Sequence, residues 1–199
     1  MYSQNNEEKV LTEYFGDFKG TLLDIGANDG KLFSNSLRLI ELGWDAVLIE
    51  PSLAAFLKLE ELHNSNDRVI CLNIAIGNEN GAAILHESGH HLPDKSDISL
   101  LSTLKPEEKK RWNGVMFRER EVRVLDYATF KKRFPKDFDF INIDAEGMDW
   151  DILSQIDLSG TKCVCVEHNS VDTGKYVKYC EKYNLKLIHQ NAENVICAK

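Results

Sequence analysis

Acidic side chains mark four apolar runs in this chain. Asp144-Ala145-Glu146-Gly147 follows the run at 138–143, and Glu167-His168-Asn169 follows the run at 163–166. Glu50-Pro51 closes the run at 46–49. Asp24 sits inside the run at 21–25, just ahead of Gly26-Ala27-Asn28-Asp29-Gly30. A carboxylate that ends a strand can accept hydrogen bonds from both hydroxyls of a ribose. Two carboxylates that bracket one residue, as Asp144 and Glu146 do, raise one another's pKa and can leave one poised to take a proton. Glu167 is a third acidic candidate, and His168 is the one histidine at the end of a core run. Asp144, Glu146 and His168 are therefore the candidate catalytic residues, as bases for a poor nucleophile at neutral pH.

Such groups need elements to position them. Residues 21–51 read as strand, glycine turn, helix, strand. Leu22, Leu23 and Ile25 fit a buried parallel strand. Leu32, Phe33, Ser36, Leu37 and Ile40 recur at helical spacing, with Gly43 placed to end that helix. The run at 46–49 is the second strand, and Glu50 stands 20 positions past Gly30 (50 − 30 = 20). Gly26 and Gly30 permit backbone geometry and close ligand approach that a Cβ would block.

A dinucleotide site needs G-x-G-x-x-G, so that a helix N-terminus can hold a pyrophosphate. Here the middle glycine is absent, and Asp24 and Asp29 put negative charge where the pyrophosphate would sit. A cofactor with a cationic sulfonium and an amino acid tail suits the turn better. That points to S-adenosylmethionine, with Asp24, Gly26, Ala27, Asn28, Gly30, Glu50 and Pro51 as candidate contacts.

The strings Asp24-Ile25-Gly26-Ala27-Asn28-Asp29-Gly30, Ile49-Glu50-Pro51 and Ile143-Asp144-Ala145-Glu146-Gly147 resemble the FkbM-type S-adenosylmethionine-dependent methyltransferases, over about 20–199. The first string is shared by many class I methyltransferases; its pairing with D-x-E-G is more specific. The resemblance implies the class I methyltransferase fold, a Rossmann-like three-layer α/β sandwich. Its sheet is seven-stranded and mostly parallel, with an antiparallel last strand. The resemblance also implies O-methylation of a hydroxyl on a small metabolite or carbohydrate, with S-adenosylhomocysteine as product. It sets the adenine beside the end of the third strand, with Asn73 to hydrogen-bond and Ile74 and Ala75 to pack on the ring. Asp144 then adjoins the methyl-transfer centre.

Metal-dependent small-molecule O-methyltransferases carry one Asp after the fourth strand and an acidic-amide pair after the fifth. Asp144, Glu167 and Asn169 stand near those places, and oxygen ligands suit Mg²⁺. His168 interrupts the pair, however, and D-x-E-G offers a base without a full ligand set. A metal-free route is therefore preferred, and no metal is expected.

Local signals place the remaining elements. Residues 5–15 read as a short amphipathic helix, 53–62 as the second crossover helix, and 69–76 as the third strand. Segments 82–86 and 121–124 read as short strands. Between them, 87–120 is polar and irregular, and the resemblance makes it the variable insertion near the acceptor. Long irregular segments often bind ligands or act as lids. Ser99, Leu100 and Ser102 are candidates to face the acceptor, while His90 and His91 read as solvated. Residues 126–134 form a helix with Asp126 as N-cap and Pro135 as stop. Residues 148–153 begin the next helix, 176–183 form another capped by Asn184, and 185–189 with 195–198 close the chain as a hairpin.

With 199 residues, 43% hydrophobic and 28% charged, the chain reads as one domain over 1–199 with a sizeable core. Its net charge is −8, and the basic clusters at 109–120 and 131–133 read as solvated faces, so nucleic acid is not an expected partner. The expected partner is a small-molecule or glycan acceptor. Five cysteines lack a disulfide-framework spacing, and Cys163 and Cys165 point to one face of a strand. Reduced thiols suit a cytoplasmic protein. No run approaches the ~18 apolar residues of a membrane span, and the N-terminus has no signal-peptide pattern. Two rival readings are an N-methyltransferase acting on a small molecule, protein or nucleic acid, and a non-catalytic cofactor-binding module. Asp144-Ala145-Glu146-Gly147 lacks the Asn/Asp-Pro-Pro-Tyr/Phe string of nucleic-acid amino-methylases, and carboxylates at the reaction centre argue against a silent module.

Overall fold

Parallel strands sandwiched between helices must be apolar on both faces, and the central strands of this chain meet that demand. The computed structural model describes residues 1–169 and 172–199. In chain order the first elements are α1 (Glu7–Phe15), β1 (Thr21–Ile25), α2 (Leu37–Glu41), β2 (Asp45–Ile49), α3 (Leu53–His63) and β3 (Val69–Leu72). Next come β4 (Ala75–Gly77), β5 (Gly81–Ser88), β6 (Phe117–Asp126), α4 (Tyr127–Arg133) and β7 (Phe140–Ile143). The chain ends with α5 (Asp149–Leu153), β8 (Cys163–Glu167), α6 (Gly174–Glu181), β9 (Lys186–Gln190) and β10 (Asn194–Ala198). Among the described residues, seven strands form one sheet in the order β3-β2-β1-β7-β8-β10-β9. Neighbours from β3 through to β8 pair parallel, whereas β10 runs antiparallel to both β8 and β9. Strand order reverses at β1 and β7, and ligands in open α/β sheets bind at the C-terminal edge of such a point.

Alternation along the strands makes two cores. Leu22, Ala46, Leu48, Phe140, Cys163 and Cys165 face α1, α2 and α3, packing on Leu11, Phe15, Leu39 and Leu59. Leu23, Ile25, Val47, Ile141, Ile143, Val164 and Val166 face α4, α5 and α6, packing on Phe130, Ile152 and Tyr176. Cys163 and Cys165 are buried free thiols on one face. Asp126 caps α4 by accepting a 2.6 Å hydrogen bond from the Thr129 amide.

Three expectations need correction. The third strand stops at Leu72. Residues Ala75–Gly77 leave the main sheet and pair parallel with Val124–Asp126 in a second sheet ordered β4-β6-β5. The strands read at 82–86 and 121–124 are longer: β5 and β6 pair antiparallel from Gly81↔Val124 to Ser88↔Phe117, so both ends of the 87–120 insertion are ordered strand. Lastly, the helix after the glycine turn begins only at Leu37. Ahead of it, Asp29 Oδ1 accepts from the Lys31 and Leu32 amides, Ser34 Oγ accepts from the Ser36 and Leu37 amides, and Phe33 takes a φ of 57°. Side chains that capture nearby amides in this way compete with helix formation.

Candidate active site

The C-terminal ends of β1, β2, β7 and β8 open onto a cavity of about 400 Å³. The glycine turn forms its floor. Gly26 has a φ of 90°, and a Cβ there would lie 1.7 Å from the Asp144 carbonyl oxygen. The glycine therefore lets β1 turn directly against the end of β7. Gly30 plays a different part. A Cβ there would meet Leu59 of α3 at 2.5 Å, and the residue does not line the cavity. Asn28 ties the turn to the insertion, since its Nδ2 donates to the Ile98 carbonyl at 2.9 Å. Its Oδ1 is buried without a partner.

Register builds the wall behind the turn. Asp24 pairs with Asn142 across β1 and β7, and Asn142 with Cys165 across β7 and β8. Asn142 Nδ2 donates to Asp24 Oδ1 at 2.8 Å, and Asn35 Nδ2 donates to Asn142 Oδ1 at 3.1 Å. Desolvation raises the Asp24 pKa, and the Asn142 hydrogen bond opposes it. Glu50 is also buried. Its Oε1 accepts from the Ser52 amide at 2.7 Å and its Oε2 from the Asn28 amide at 2.9 Å. Burial pushes its pKa up to about 7 against these two hydrogen bonds, with Asp24 and Glu87 adding repulsion. Each Glu50 oxygen keeps a lone pair for a ligand donor.

At the ends of β7 and β8, Asp144, Glu146 and Glu167 each bring one carboxylate oxygen within 4.8 Å of the other two. Asp149 shapes the turn that presents the first two. Its oxygens accept from the Ala145 amide at 2.7 Å and the Gly147 amide at 3.0 Å. Asn169 donates to Glu167 at 2.6 Å and to Asp149 at 3.0 Å, while its own oxygen accepts from Arg111. Desolvation, then the charges of Asp149 and Asp24, push the Asp144 pKa up to about 8. Glu146 is held well above the usual carboxylate range by desolvation and then by Asp144 and Asp149. Desolvation, Asp144 and Glu146 do the same to Glu167.

The insertion roofs the cavity with Ser99, Leu100, Leu101, Ser102, Arg111 and Trp112. It is anchored beside the carboxylates by Thr103, whose hydroxyl donates to the Glu146 carbonyl at 2.7 Å, and by Lys105, which donates to the Gly147 carbonyl at 2.8 Å.

The geometry thus gathers Asp24, Gly26, Ala27, Asn28, Glu50, Pro51, Ala75, Asp144 and Glu146 around one cavity. It leaves four of the sequence candidates outside the lining. Gly30 packs on α3. Asn73 Nδ2 donates to the Glu50 and Pro51 carbonyls, so it holds the corner after β2 rather than a ligand. Ile74 packs against the core. His168 is buried with its Nε2 3.2 Å from the Asn191 carbonyl. Nor is Asn169 a free ligand oxygen beside Asp144 and Glu167; Glu146 takes that place. Sequence reasoning missed Asn35, Asn142, Asp149 and Trp112. Asn142 alone carried a local signal, as the one polar residue of the stretch 140–143.

Residues 24–186 match the methyltransferase FkbM domain. No curated protein matches the chain significantly. Among solved structures, a ribosomal protein L11 methylase from Lactobacillus delbrueckii subsp. bulgaricus aligns with a TM-score of 0.50 at 12% identity, over 96% of this chain and 75% of that one. A candidate RNA methyltransferase from Pyrococcus horikoshii aligns with a TM-score of 0.51 at 13% identity, over 97% of this chain and 81% of that one. At such identities the likeness is one of fold.

Proposed function

Because the chain belongs to the FkbM methyltransferase family and is an S-adenosylmethionine-dependent methyltransferase, we propose that its acceptor is a hydroxyl on a small metabolite or carbohydrate. The observation that carries this reading is the group of raised-pKa carboxylates, Asp144 and Glu146 foremost, gathered at the ends of β7 and β8. A hydroxyl must lose its proton as it attacks, and a base whose pKa lies near the working pH removes it best. A second observation favours a hydroxylated acceptor. Trp112 lines the cavity and its indole N–H is buried without a partner, which leaves a donor free for an acceptor oxygen.

The residues present fit the cofactor. Glu50 keeps lone pairs for ribose hydroxyls, Asp24 and the 26–28 turn offer polar groups to an amino acid tail, and Ala75, Ile76 and Leu85 give an apolar wall for a base. When bound, S-adenosylmethionine supplies an electrophilic methyl carbon on a sulfonium. Transfer would form a C–O bond as the C–S bond breaks, with S-adenosylhomocysteine as the leaving group. The hydroxyl proton passes to Asp144 or Glu146 and then to water. The protein's main task is positioning, since an in-line displacement depends on aligned atoms.

The test uses methyl-¹³C cofactor with a panel of sugars and hydroxylated metabolites. The carbon shift of the transferred methyl separates an O-methyl from an N-methyl product. Asp144→Asn is expected to lose at least ~10²-fold in turnover, the usual range for a removed base, while S-adenosylhomocysteine still binds. Methyl transfer to amines alone would overturn the hydroxyl assignment.

A further inference from the structure

We propose that Asp144, Glu146 and Glu167 together hold one hard divalent cation at the ends of β7 and β8. This set differs from the one expected by resemblance, because Glu146 replaces Asn169, and it departs from the metal-free preference read from the sequence. The use of such a cation rests on the methyl-transfer reading. Its binding does not.

Three observations lead there. First, one oxygen from each carboxylate lies within 4.8 Å of the other two. Around an ion with metal–oxygen distances of 2.1–2.4 Å, opposite ligands are separated by about 4.2–4.8 Å and adjacent ones by about 3 Å. Three oxygens so spaced can share a single ion, with the remaining positions left to water and an acceptor oxygen.

Second, Glu146 is only 9% exposed, and its Oε2 has no hydrogen-bond partner. A buried carboxylate oxygen without a donor carries an uncompensated desolvation penalty. Its near neighbours in this cluster are the other carboxylates, Asp144 and Glu167. A cation supplies what the oxygen lacks.

Third, positive charge is scarce. Among the described residues lining the cavity, Arg111 is the one lysine or arginine. Its Nη1 already donates to Glu108 at 2.8 Å and to Asn169. Asn169 in turn orients Glu167, and Asp149 holds the Ala145 and Gly147 amides, so the neighbouring residues fix the carboxylates without competing for the ion.

A cation there would also serve the acceptor. Coordination would lower the pKa of a hydroxyl oxygen, and its proton would then pass to water as the C–O bond forms, with Asp144 and Glu146 held as ligands in place of bases.

The experiment titrates Mn²⁺ into the full chain in the absence of S-adenosylmethionine. Free Mn²⁺ is followed by electron paramagnetic resonance, and the thermal melt is followed in parallel. One Mn²⁺ per chain is expected, with a rise in melting temperature. Binding should weaken at least tenfold in Glu146→Gln, Asp144→Asn and Glu167→Gln, and stay unchanged in Glu119→Gln, an exposed acid outside the cluster. Absence of Mn²⁺ binding to the wild-type protein at millimolar concentration overturns the proposal. So does binding that all three variants retain. Should one variant fail to fold, the wild-type titration and the other two still decide. Failure of the methyl-transfer reading shows separately, as no S-adenosylhomocysteine binding and no label transfer with or without Mn²⁺.

Discussion

The side-chain amide of Asn142 donates to the carboxylate of Asp24 at 2.8 Å, joining two buried residues 118 positions apart. The pairing of β1 with β7 sets them opposite one another, and Asn35 completes the row from the other side. Asn142→Leu leaves Asp24 buried without its donor and Asn35 without its acceptor. It should cost about 1–3 kcal/mol, the range for an unsatisfied buried polar group. Urea unfolding measures this, and a loss below a few tenths of a kcal/mol would mean that water replaces the amide.

Glu50 links pH to stability and, on the proposed reading, to cofactor binding. Folded, its pKa is raised to about 7, mainly by burial, from an ordinary 4.5. The folded chain thus keeps a proton that the unfolded chain releases. Its contribution to stability is full below pH 4.5 and is lost as pH rises through about 7. The shift corresponds to something on the order of 3 kcal/mol. Glu50→Gln cannot titrate, so the wild-type protein should lose more stability than the variant between pH 4.5 and 8. Denaturation at fixed pH values tests this, and equal slopes would contradict it. By calorimetry at pH 8, Glu50→Ala should weaken S-adenosylmethionine binding by about 1–3 kcal/mol, the range for hydrogen bonds to a charged group.

Two glycines with positive φ should respond very differently to alanine. At Gly26 a Cβ falls 1.7 Å from the Asp144 carbonyl, a backbone atom that cannot swing away, whereas the space around Gly81 is open. Gly81→Ala meets only conformational strain, on the order of 1–3 kcal/mol. Gly26→Ala must also push β1 and β7 apart, and should destabilise by more than the Gly81 change or prevent folding. Melting temperatures of the two variants give the comparison. A Gly26→Ala protein as stable as Gly81→Ala would show that the two strand ends separate easily.

The insertion should exchange amide hydrogens in two regimes. The His86 and Thr103 backbones pair in both directions, Ser88 Oγ accepts from the Leu101 amide, and Leu101 and Thr103 are buried. Residues 93–96 are exposed. Segments with few buried contacts open first. Hydrogen exchange of the ligand-free protein should therefore show rapid exchange at 93–96 and slow exchange at 101–103. Uniformly fast exchange across the loop would mean that its anchors open together.

Much of this molecule is determined by signals that span only a few residues. Apolar alternation is enough to bury β1, β2, β7 and β8 on both faces, because each strand carries its own periodicity. Asp126 before Tyr127 is enough to start α4, because the cap and the amide it accepts lie three residues apart. The carboxylates at strand ends belong to the same class, since every parallel strand of such a sheet delivers its C-terminal edge to one side. The tertiary structure decided which of those groups meet. Asn73 looks like a base-binding amide until the corner after β2 arrives beside it and accepts two bonds from its Nδ2. His168 and Glu167 are adjacent in sequence, yet adjacent residues on an extended chain point to opposite sides, so one joins the carboxylate cluster and the other faces Asn191. Ala75–Gly77 leaves the main sheet because its partner, β6, is supplied from 49 residues away (124 − 75 = 49). Strand register, and the burial that comes with it, connects groups across such distances, and no window of local sequence contains both members of the pair.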